Sequence, residues 1–257
     1  MEINIIPKFL DEAVTPLAQR AGSTLSSIWT IAFGGIDIYA EKTQLKRVHA
    51  LNQFKEELEQ AVSSIPEENI VEPPLHIVGP TLEASKYYFE NDELRMMFAN
   101  LIASSINTET ISKAHPSFIE IIKQLSPLDA QNLKLFKDTY RHPIVNYIYR
   151  SSVGGGAPCK TNVFLENEQN QDIDLNSASI SNLSRLGLIS ITFDRAFDQD
   201  DLYKKYLNHP VLKESQQFLE FYRFNIDSST KVFNTIDIDK GIIDITTFGK
   251  NFIDICI

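Results

Sequence analysis

Apolar residues recur at three- and four-residue steps through most of the N-terminal half of the chain, the spacing of helices that bury one face. Helices are predicted over residues 7–20, where Pro16 should kink the apolar face, over 24–33 and over 36–62. The apolar positions of the third helix are Leu45, Val48, Leu51, Phe54, Leu58 and Ala61. This pattern predicts a helical N-terminal region.

Glycine and proline predict two interruptions between these helices. Gly34 and Gly35 allow the chain to change direction after the second helix. Residues 66–80 contain so many prolines and glycines that we expect them to be largely extended, and helical spacing resumes over residues 81–89. The helical region should therefore consist of several separate segments.

Helix-start signals are clearest within residues 91–136. Asn91 is a suitable N-cap, and the two acids that follow it favour the positive end of a helix. Pro116 can occupy the first turn of another helix, because its missing donor is not needed there. Ser126-Pro127-Leu128-Asp129 combines a cap, a proline and an acid, and predicts a helix ending near Tyr140.

A different pattern follows the helical region. Strands rich in β-branched and aromatic residues are predicted over residues 144–149, 161–165, 188–193 and 242–246. A serine-rich helix over residues 176–186 should end at Gly187, and residues 194–239 form an insertion containing a helix over 211–224. This order of elements is typical of a winged helix, with the strands beside the insertion forming the wing. We therefore predict a mostly α protein.

The predicted domains are a helical domain over residues 1–125 and a winged-helix-like domain with its insertion over residues 126–257. A chain of 257 residues with 43% apolar and 23% charged residues can bury a proper core. Its net charge of −10 argues against a non-specific nucleic-acid coat or binding to an anionic membrane.

The expected location is the cytoplasm. Two cysteines are too few for a disulfide framework, and the first residues lack the basic start and apolar centre of a secretory signal. Residues 25–40 are apolar but shorter than the roughly 20 residues that a membrane helix needs. A buried helix is the favoured interpretation, and membrane contact through residues 24–40 is kept as an alternative.

No set of residues with the spacing of a catalytic or metal site is found in the sequence, and no cofactor is expected. Cys159 beside Lys160 could be an activated thiol if His142 folded back to act as its base, but a non-catalytic role is favoured. The histidines are scattered, and His115 is selected as a pocket candidate. Whether the protein is an enzyme stays open, with a non-enzymatic protein favoured.

The predicted helix over residues 176–186 is the candidate for nucleic-acid or partner contact. Its candidate contact residues are Ser179, Ser181, Asn182 and Arg185. DNA affinity comes mostly from cations that neutralise phosphates, and this helix offers one, Arg185. Nucleic-acid binding is therefore less favoured than contact with a protein.

Several segments resemble the Abi-alpha family of bacterial proteins. They are IPEEN at residues 65–69, ELRMMFANLIASSI at 93–106, HPSFIEIIKQLSPLDA at 115–130, NLSRLGLI at 182–189 and ITTFGKNFIDIC at 245–256. The family is associated with abortive infection, in which a phage-infected bacterium arrests or dies before the phage matures. The resemblance implies antiviral defence and carries over no catalytic residue.

The leading hypothesis is a non-enzymatic defence protein whose helical region binds a protein partner or a phage-derived trigger. Self-association through the long amphipathic helices is included, because the sequence offers abundant amphipathic surface and no catalytic set. A winged-helix DNA-binding regulator and a membrane-perturbing effector are the two alternatives. The sequence leaves open the defence mechanism, the trigger and the oligomeric state.

Overall fold

The computed structural model of the protein describes residues 7–34, 42–152, 154–224 and 233–257. The chain divides into two compact units, which are described separately: the first comprises Met1–Ala130 and Lys250–Ile257, and the second comprises Gln131–Gly249. Most regular structure is helical, as predicted, and the sheet lies in the second unit. The predicted boundary between residues 125 and 126 stays a prediction.

The first unit is built from helices. Their bounds are α1, Pro16–Phe33; α2, Lys42–Ser63; α3, Leu75–Ser85; α4, Asp92–Ser105; and α5, Ser117–Ile122, with α6, Pro127–Lys134, continuing into the second unit. Trp29 lies at the centre of an aromatic cluster, with ring centroids 4.5 Å from Phe33 and 5.4 Å from Phe54. Four residues of the predicted apolar face of α2 are buried, namely Val48, Leu51, Phe54 and Leu58.

The second unit contains a four-stranded antiparallel sheet in the order β2-β1-β4-β3. The strands are β1, Arg141–Ser151; β2, Gly156–Val163; β3, Ile189–Thr192; and β4, Phe233–Ile245. The helices are α7, Ile173–Arg185; α8, Lys204–Leu207; and α9, Pro210–Phe224. A last helix, α10, Thr247–Cys256, begins in the second unit and belongs to the first unit from Lys250 on. The buried tyrosines Tyr147, Tyr203 and Tyr206 lie in the core of the second unit.

The prediction of two N-terminal helices is wrong. Residues 7–14 precede α1, which runs unbroken from the second half of the first predicted segment to the end of the second. Pro16 begins this helix, where its missing N–H costs nothing, and the Thr15 side chain accepts a hydrogen bond from the Ala18 amide at 3.3 Å. Gly34 follows as the C-cap. Gly35 and the predicted start of the next helix lie outside the described residues.

The prediction of an extended segment over residues 66–80 is wrong in part. A short 3-10 turn occupies Glu67–Asn69, and α3 begins at Leu75, directly after Pro74, and tolerates Pro80. The helix predicted over residues 81–89 is the second half of α3, which ends at Ser85. Pro74 therefore stands at the start of this helix, and Pro80 inside the helix does not end it.

The predicted caps at the start of α4 and α6 are confirmed. Asn91 Oδ1 accepts a hydrogen bond from the Leu94 amide at 3.0 Å. Ser126 and Asp129 form a reciprocal pair, in which the Ser126 amide donates to Asp129 Oδ2 at 2.7 Å and the Asp129 amide donates to Ser126 Oγ at 3.1 Å. The α6 helix ends at Lys134, which is earlier than predicted.

The predicted pairing of the strands beside the insertion is confirmed, since Ile189 of β3 lies opposite Ile245 of β4. Gly187 has the positive φ of 73° that a helix C-terminus favours. The winged-helix interpretation is not confirmed. In the described part of the second unit, α7 follows the irregular residues 164–172, whereas a helix-turn-helix would place a second helix there.

Candidate functional site

Ser179, the first of the predicted contact residues on α7, lies inside the second unit. Its side chain is buried and accepts a hydrogen bond from Asn132 Nδ2 at 2.9 Å. Asn132 also donates to Asn176 Oδ1 at 3.1 Å and accepts from Asn167 Nδ2 at 2.7 Å. These four side chains form a buried polar network that joins α6, α7 and the segment before α7, so Ser179 has a structural role in this network.

Ser181 and Arg185 are exposed, and Asn182 is half-buried. Ser181 Oγ donates to the Ser177 carbonyl at 2.8 Å, and Asn162 Nδ2 donates to Ser181 Oγ at 3.1 Å. The Arg185 guanidinium donates to Asn182 Oδ1 at 2.7 Å. Both Asn182 and Arg185 are thus engaged with each other on the helix surface. A role of these three residues in contact with a nucleic acid or a protein stays a prediction.

His115 is exposed at the start of α5 and does not line the cavity described below. Its Nδ1 lies 2.6 Å from Ser117 Oγ and accepts from the Ser117 amide at 3.1 Å. The imidazole therefore caps the first turn of α5. This contact gives a structural reason for the histidine and serine of the HPSF segment.

The proposed thiol and base are far apart on the sheet. Tyr147 lies opposite Lys160 and Ile148 opposite Pro158, so Cys159 is at least five residues along β1 from His142, or roughly 16 Å at the rise of a strand. The Cys159 thiol instead donates to Ser215 Oγ at 3.2 Å. The arrangement in which His142 activates Cys159 is therefore wrong.

His142 instead occupies an aromatic environment. Its ring centroid lies 4.7 Å from that of Phe136 and 5.9 Å from that of Phe164, both edge-on. Its Nε2 lies 3.0 Å from the Leu135 carbonyl oxygen. Burial lowers the pKa of His142, against the smaller opposing effects of that hydrogen bond and of Glu166. The neutral imidazole is thus favoured in the folded protein.

Sequence reasoning missed a cluster of tyrosines around Glu166. The Tyr206 hydroxyl is buried, 2.9 Å from the Pro143 carbonyl oxygen and 3.1 Å from Glu166 Oε1. Glu166 also pairs with Lys205 at 2.5 Å. The Tyr147 hydroxyl donates to the Tyr206 carbonyl at 2.8 Å. Tyr147, Glu166 and Tyr206 lie far apart in the sequence, so no sequence motif indicated the cluster.

The cluster fixes its tyrosines in the protonated state. Burial raises the pKa of Tyr147 to about 12, and burial together with the charge of Glu166 raises the pKa of Tyr206 further. A general acid or base works best with a pKa near the working pH, which these hydroxyls do not have. Their hydrogen bonds attach the insertion to β1 and serve stability.

An ion cluster around the buried Arg95 in the first unit was also missed. Arg95 is 3% exposed and donates to both carboxylate oxygens of Glu57, at 2.7 and 2.9 Å. The same guanidinium pairs with Asp92 at 2.9 Å and donates to the Phe89 carbonyl at 3.1 Å. The hydrogen bond with Glu57 raises the pKa of Arg95. The cluster joins α2 to the start of α4.

The first unit contains a cavity of about 280 Å³. It is lined by the C-terminal residues of α2, α4 and α10 and by the turn after α4; its polar lining residues are Ser64, Asn100, Ser104, Asn107, Thr110 and Asp254. Sequence reasoning could not find it, because its walls come from three separate helix ends. Its lining contains several hydrogen-bonding groups and a carboxylate, which makes it the candidate binding site of this unit.

The described residues also bear on metal binding and on insertion into a membrane. In these parts of the chain, no three or more His, Cys, Asp or Glu side chains are placed to hold a metal ion. Among the helices within the described ranges, none has the length and apolarity to cross a membrane. Trp29, in the segment proposed for membrane contact, is buried, and residues 35–40 of that segment lie outside the described residues.

No curated protein matches this chain. One solved structure, of an uncharacterized protein from the hydrocarbon-degrading marine bacterium Alcanivorax borkumensis SK2, is 14% identical, with 54% of this chain and 90% of that chain covered and a TM-score of 0.35, a likeness too weak to relate the folds.

The sequence profile named abortive infection alpha matches residues 46–256, which is most of the chain. This match confirms the resemblance carried by the IPEEN, HPSF and C-terminal segments. It also suggests a part in abortive-infection-type defence. The chain belongs to the abortive infection alpha family.

Proposed function

We propose that this protein acts in abortive-infection-type antiphage defence by binding a protein partner, without catalysing a reaction. Family membership supports the defence role. The absence of a reaction is supported by the side chains that looked chemically useful. Ser179, His115 and Cys159 each have a hydrogen-bond partner within the fold, and no two of them belong to one site.

The observation that carries the binding proposal is a pair of exposed aromatic residues on α9. Leu219 is buried, and α9 packs against β4. Phe218 and Phe221 are 56% and 68% exposed and lie three residues apart, so they share one side of the helix. Large aromatic side chains are enriched at the centres of protein interfaces, where they contribute much of the binding energy.

The amphipathic helices of the first unit are less suited to this role. The residues that form their apolar faces, including Leu25, Leu51, Phe54 and Leu101, are buried within that unit. The proposed binding surface is therefore the aromatic side of α9 in the insertion. A phage-derived trigger is the first candidate partner, and self-association is the other.

Phage challenge of a bacterial host that expresses the protein tests this proposal. The wild-type protein should reduce plaque formation, and Phe218→Ser with Phe221→Ser should abolish the protection, because the aromatic contact area is lost. Tyr87→Ser is the matched control, since Tyr87 is 77% exposed but lies in the first unit. Protection retained by the double variant, with wild-type expression and melting temperature, would contradict the proposal.

The trigger can be identified in the same host. Phages that escape the defence should carry mutations in one gene, and its product should bind the purified wild-type protein but not the Phe218→Ser, Phe221→Ser variant. Light scattering on the purified protein tests self-association. A dimer that dissociates in the same double variant would identify a second copy as the partner.

The winged-helix interpretation of the second unit is part of the proposal. Three features support it: α6 precedes β1, α7 precedes β3, and β1, β4 and β3 are adjacent in the sheet. The presence of β2 and of the long insertion departs from the simple form. Such a module is used here for protein contact, because Ser179 is buried and Arg185 is the one cation in the sequence of α7.

A further inference from the structure

Three helices of the first unit end at the same cavity. Ser64 and Ile65 follow α2, Ser104 lies in the last turn of α4, and Asp254 lies in the last turn of α10. Each helix C-terminus carries the equivalent of roughly half a negative charge, from carbonyl groups that point along the axis. A basic residue in the last turn would offset this charge, but none is present in α2, α4 or the described part of α10.

The hydroxyl groups at the cavity can only accept hydrogen bonds from a ligand. Ser64 Oγ donates its proton to the Ala61 carbonyl at 2.7 Å, and Ser104 Oγ donates to the Ile255 carbonyl at 3.2 Å. Thr110 Oγ1 donates to the Ser104 carbonyl at 2.7 Å. Because a hydroxyl has one proton and two lone pairs, each of these three groups offers lone pairs to the cavity.

The side-chain amides of Asn100 and Asn107 at the cavity also form hydrogen bonds within the protein. Asn100 Nδ2 donates one of its two protons to the Cys256 carbonyl at 3.2 Å, and its Oδ1 is an acceptor. Asn107 differs, because its Oδ1 accepts from the Glu109 amide at 3.0 Å and its amide protons are the groups it can offer. The polar lining is thus rich in acceptors, and Asp254 adds a full negative charge.

A protein ammonium group already reaches the rim. Lys113 Nζ lies 2.8 Å from Asp254 Oδ2, and both side chains are about half exposed. An ion pair with this exposure is weak and exchanges readily with a competing cation. Lys113 therefore shows which group the carboxylate attracts, and it can move aside when another ammonium enters.

We propose that this cavity binds a small alkylammonium compound, whose ammonium group lies among the Ser, Thr and Asn acceptors near Asp254. Its methylene groups would lie against the apolar part of the lining, which includes Ile65 and Ile255. The volume is slightly below the roughly 300–1,000 Å³ of most small-molecule sites, so the ligand has only a few carbon atoms. This assignment does not depend on the function proposed for α9.

Titration calorimetry on the full chain with 1,4-diaminobutane tests the site, with 1,4-butanediol as a neutral compound of similar length and NaCl at matched ionic strength. The diamine should give saturable binding and the diol none. Asp254→Asn should weaken binding about tenfold or more, because it removes a charge-assisted hydrogen bond. Lys113→Met should strengthen binding roughly threefold, since it removes a weak competitor.

Asp201→Asn is the matched control, because Asp201 is an exposed acid paired with Lys204 in the second unit. It should leave the affinity for the diamine unchanged. Equal binding of the diol, an unchanged affinity in Asp254→Asn or weaker binding in Lys113→Met would each overturn the proposal. Circular dichroism of every variant separates loss of the site from loss of the fold, and Lys113→Met alters only an exposed side chain.

Discussion

In the first unit, buried hydroxyl groups bond to carbonyls of their own helices, whereas in the second unit buried polar groups bond across long stretches of the chain. Ser85 and Ser105 donate to carbonyls three residues away. In the second unit, Asn132 bonds to Asn176 across 44 positions, and Tyr203 donates to the Gly241 carbonyl across 38. Local polar contacts follow from secondary structure, but distant ones must be specified by the fold.

Arg95 makes a long-range polar contact within the first unit, and its removal should have the largest effect on stability. Arg95→Ala leaves the Glu57 carboxylate without its main partner, and breaking a buried pair in this way costs about 3–5 kcal/mol. Urea unfolding measures the change. Arg47→Ala is the control, because Arg47 and Glu90 are both exposed and lie 3.5 Å apart, and it should cost at most about 1 kcal/mol. Equal losses in both variants would contradict the prediction.

Asn132→Ala should have the next largest effect, this time in the second unit. It removes the donor to Asn176 and Ser179 and the acceptor for Asn167, all of them buried. Leaving such groups unsatisfied costs about 1–3 kcal/mol for each group that cannot find a new partner. The free energy of unfolding should therefore fall by at least about 2 kcal/mol.

Hydrogen exchange can test whether these two effects stay within their units. Arg95→Ala should increase exchange mainly in α2 and α4, and Asn132→Ala mainly in α7 and in the segment before it. The same peptides in the two variants act as controls for each other. Equal increases throughout both units in either variant would show that the units unfold together. The local and long-range polar contacts would then not stabilise the two units separately.

The smallest expected effect is the pH dependence from His142. Its pKa is lowered by burial, so below the ordinary value near 6.5 the unfolded chain binds a proton that the folded chain does not. The free energy of unfolding should therefore fall as the pH is lowered from about 6.5 towards the folded pKa, and change no further from this group below it.

Urea unfolding at pH 7.5 and 5.5 measures this dependence. His142→Phe should keep the ring among Phe136 and Phe164 while removing the proton-binding group, so its stability should depend less on pH than that of the wild-type protein. The groups that act on this imidazole besides its burial are the Leu135 carbonyl, Glu166 and Lys205. An identical pH dependence in the variant would show that a group other than His142 causes it.

The sequence predicted the local features of the fold because each is encoded within one turn. The caps at Asn91 and Ser126 and the C-terminal glycine of α7 are of this kind. The errors at Pro16 and at residues 66–80 arose where a proline can either end or begin a helix. Contacts with the rest of the unit decide between these outcomes, for example when Glu67 Oε2 accepts from the Val14 and Thr15 amides before α1.

The candidate sites were harder to predict than these local features, because their positions depend on tertiary structure. Ser179 and Ser181 are two residues apart on α7, yet one is buried and the other exposed, and serine content alone could not separate them. The cavity required three helix ends to meet, and the Tyr206 cluster required the insertion to return to β1. Nothing in the spacing of these residues along the chain encodes their proximity.

The division of the chain has a practical consequence for dissecting this protein. The first unit is completed by Lys250–Ile257, where Phe252 is buried with its ring centroid 5.1 Å from that of Phe118. A fragment ending at Ala130 therefore lacks part of its own core. To isolate this unit, the final helix would have to be rejoined through a designed linker, whereas the second unit is one continuous stretch of the chain, Gln131–Gly249.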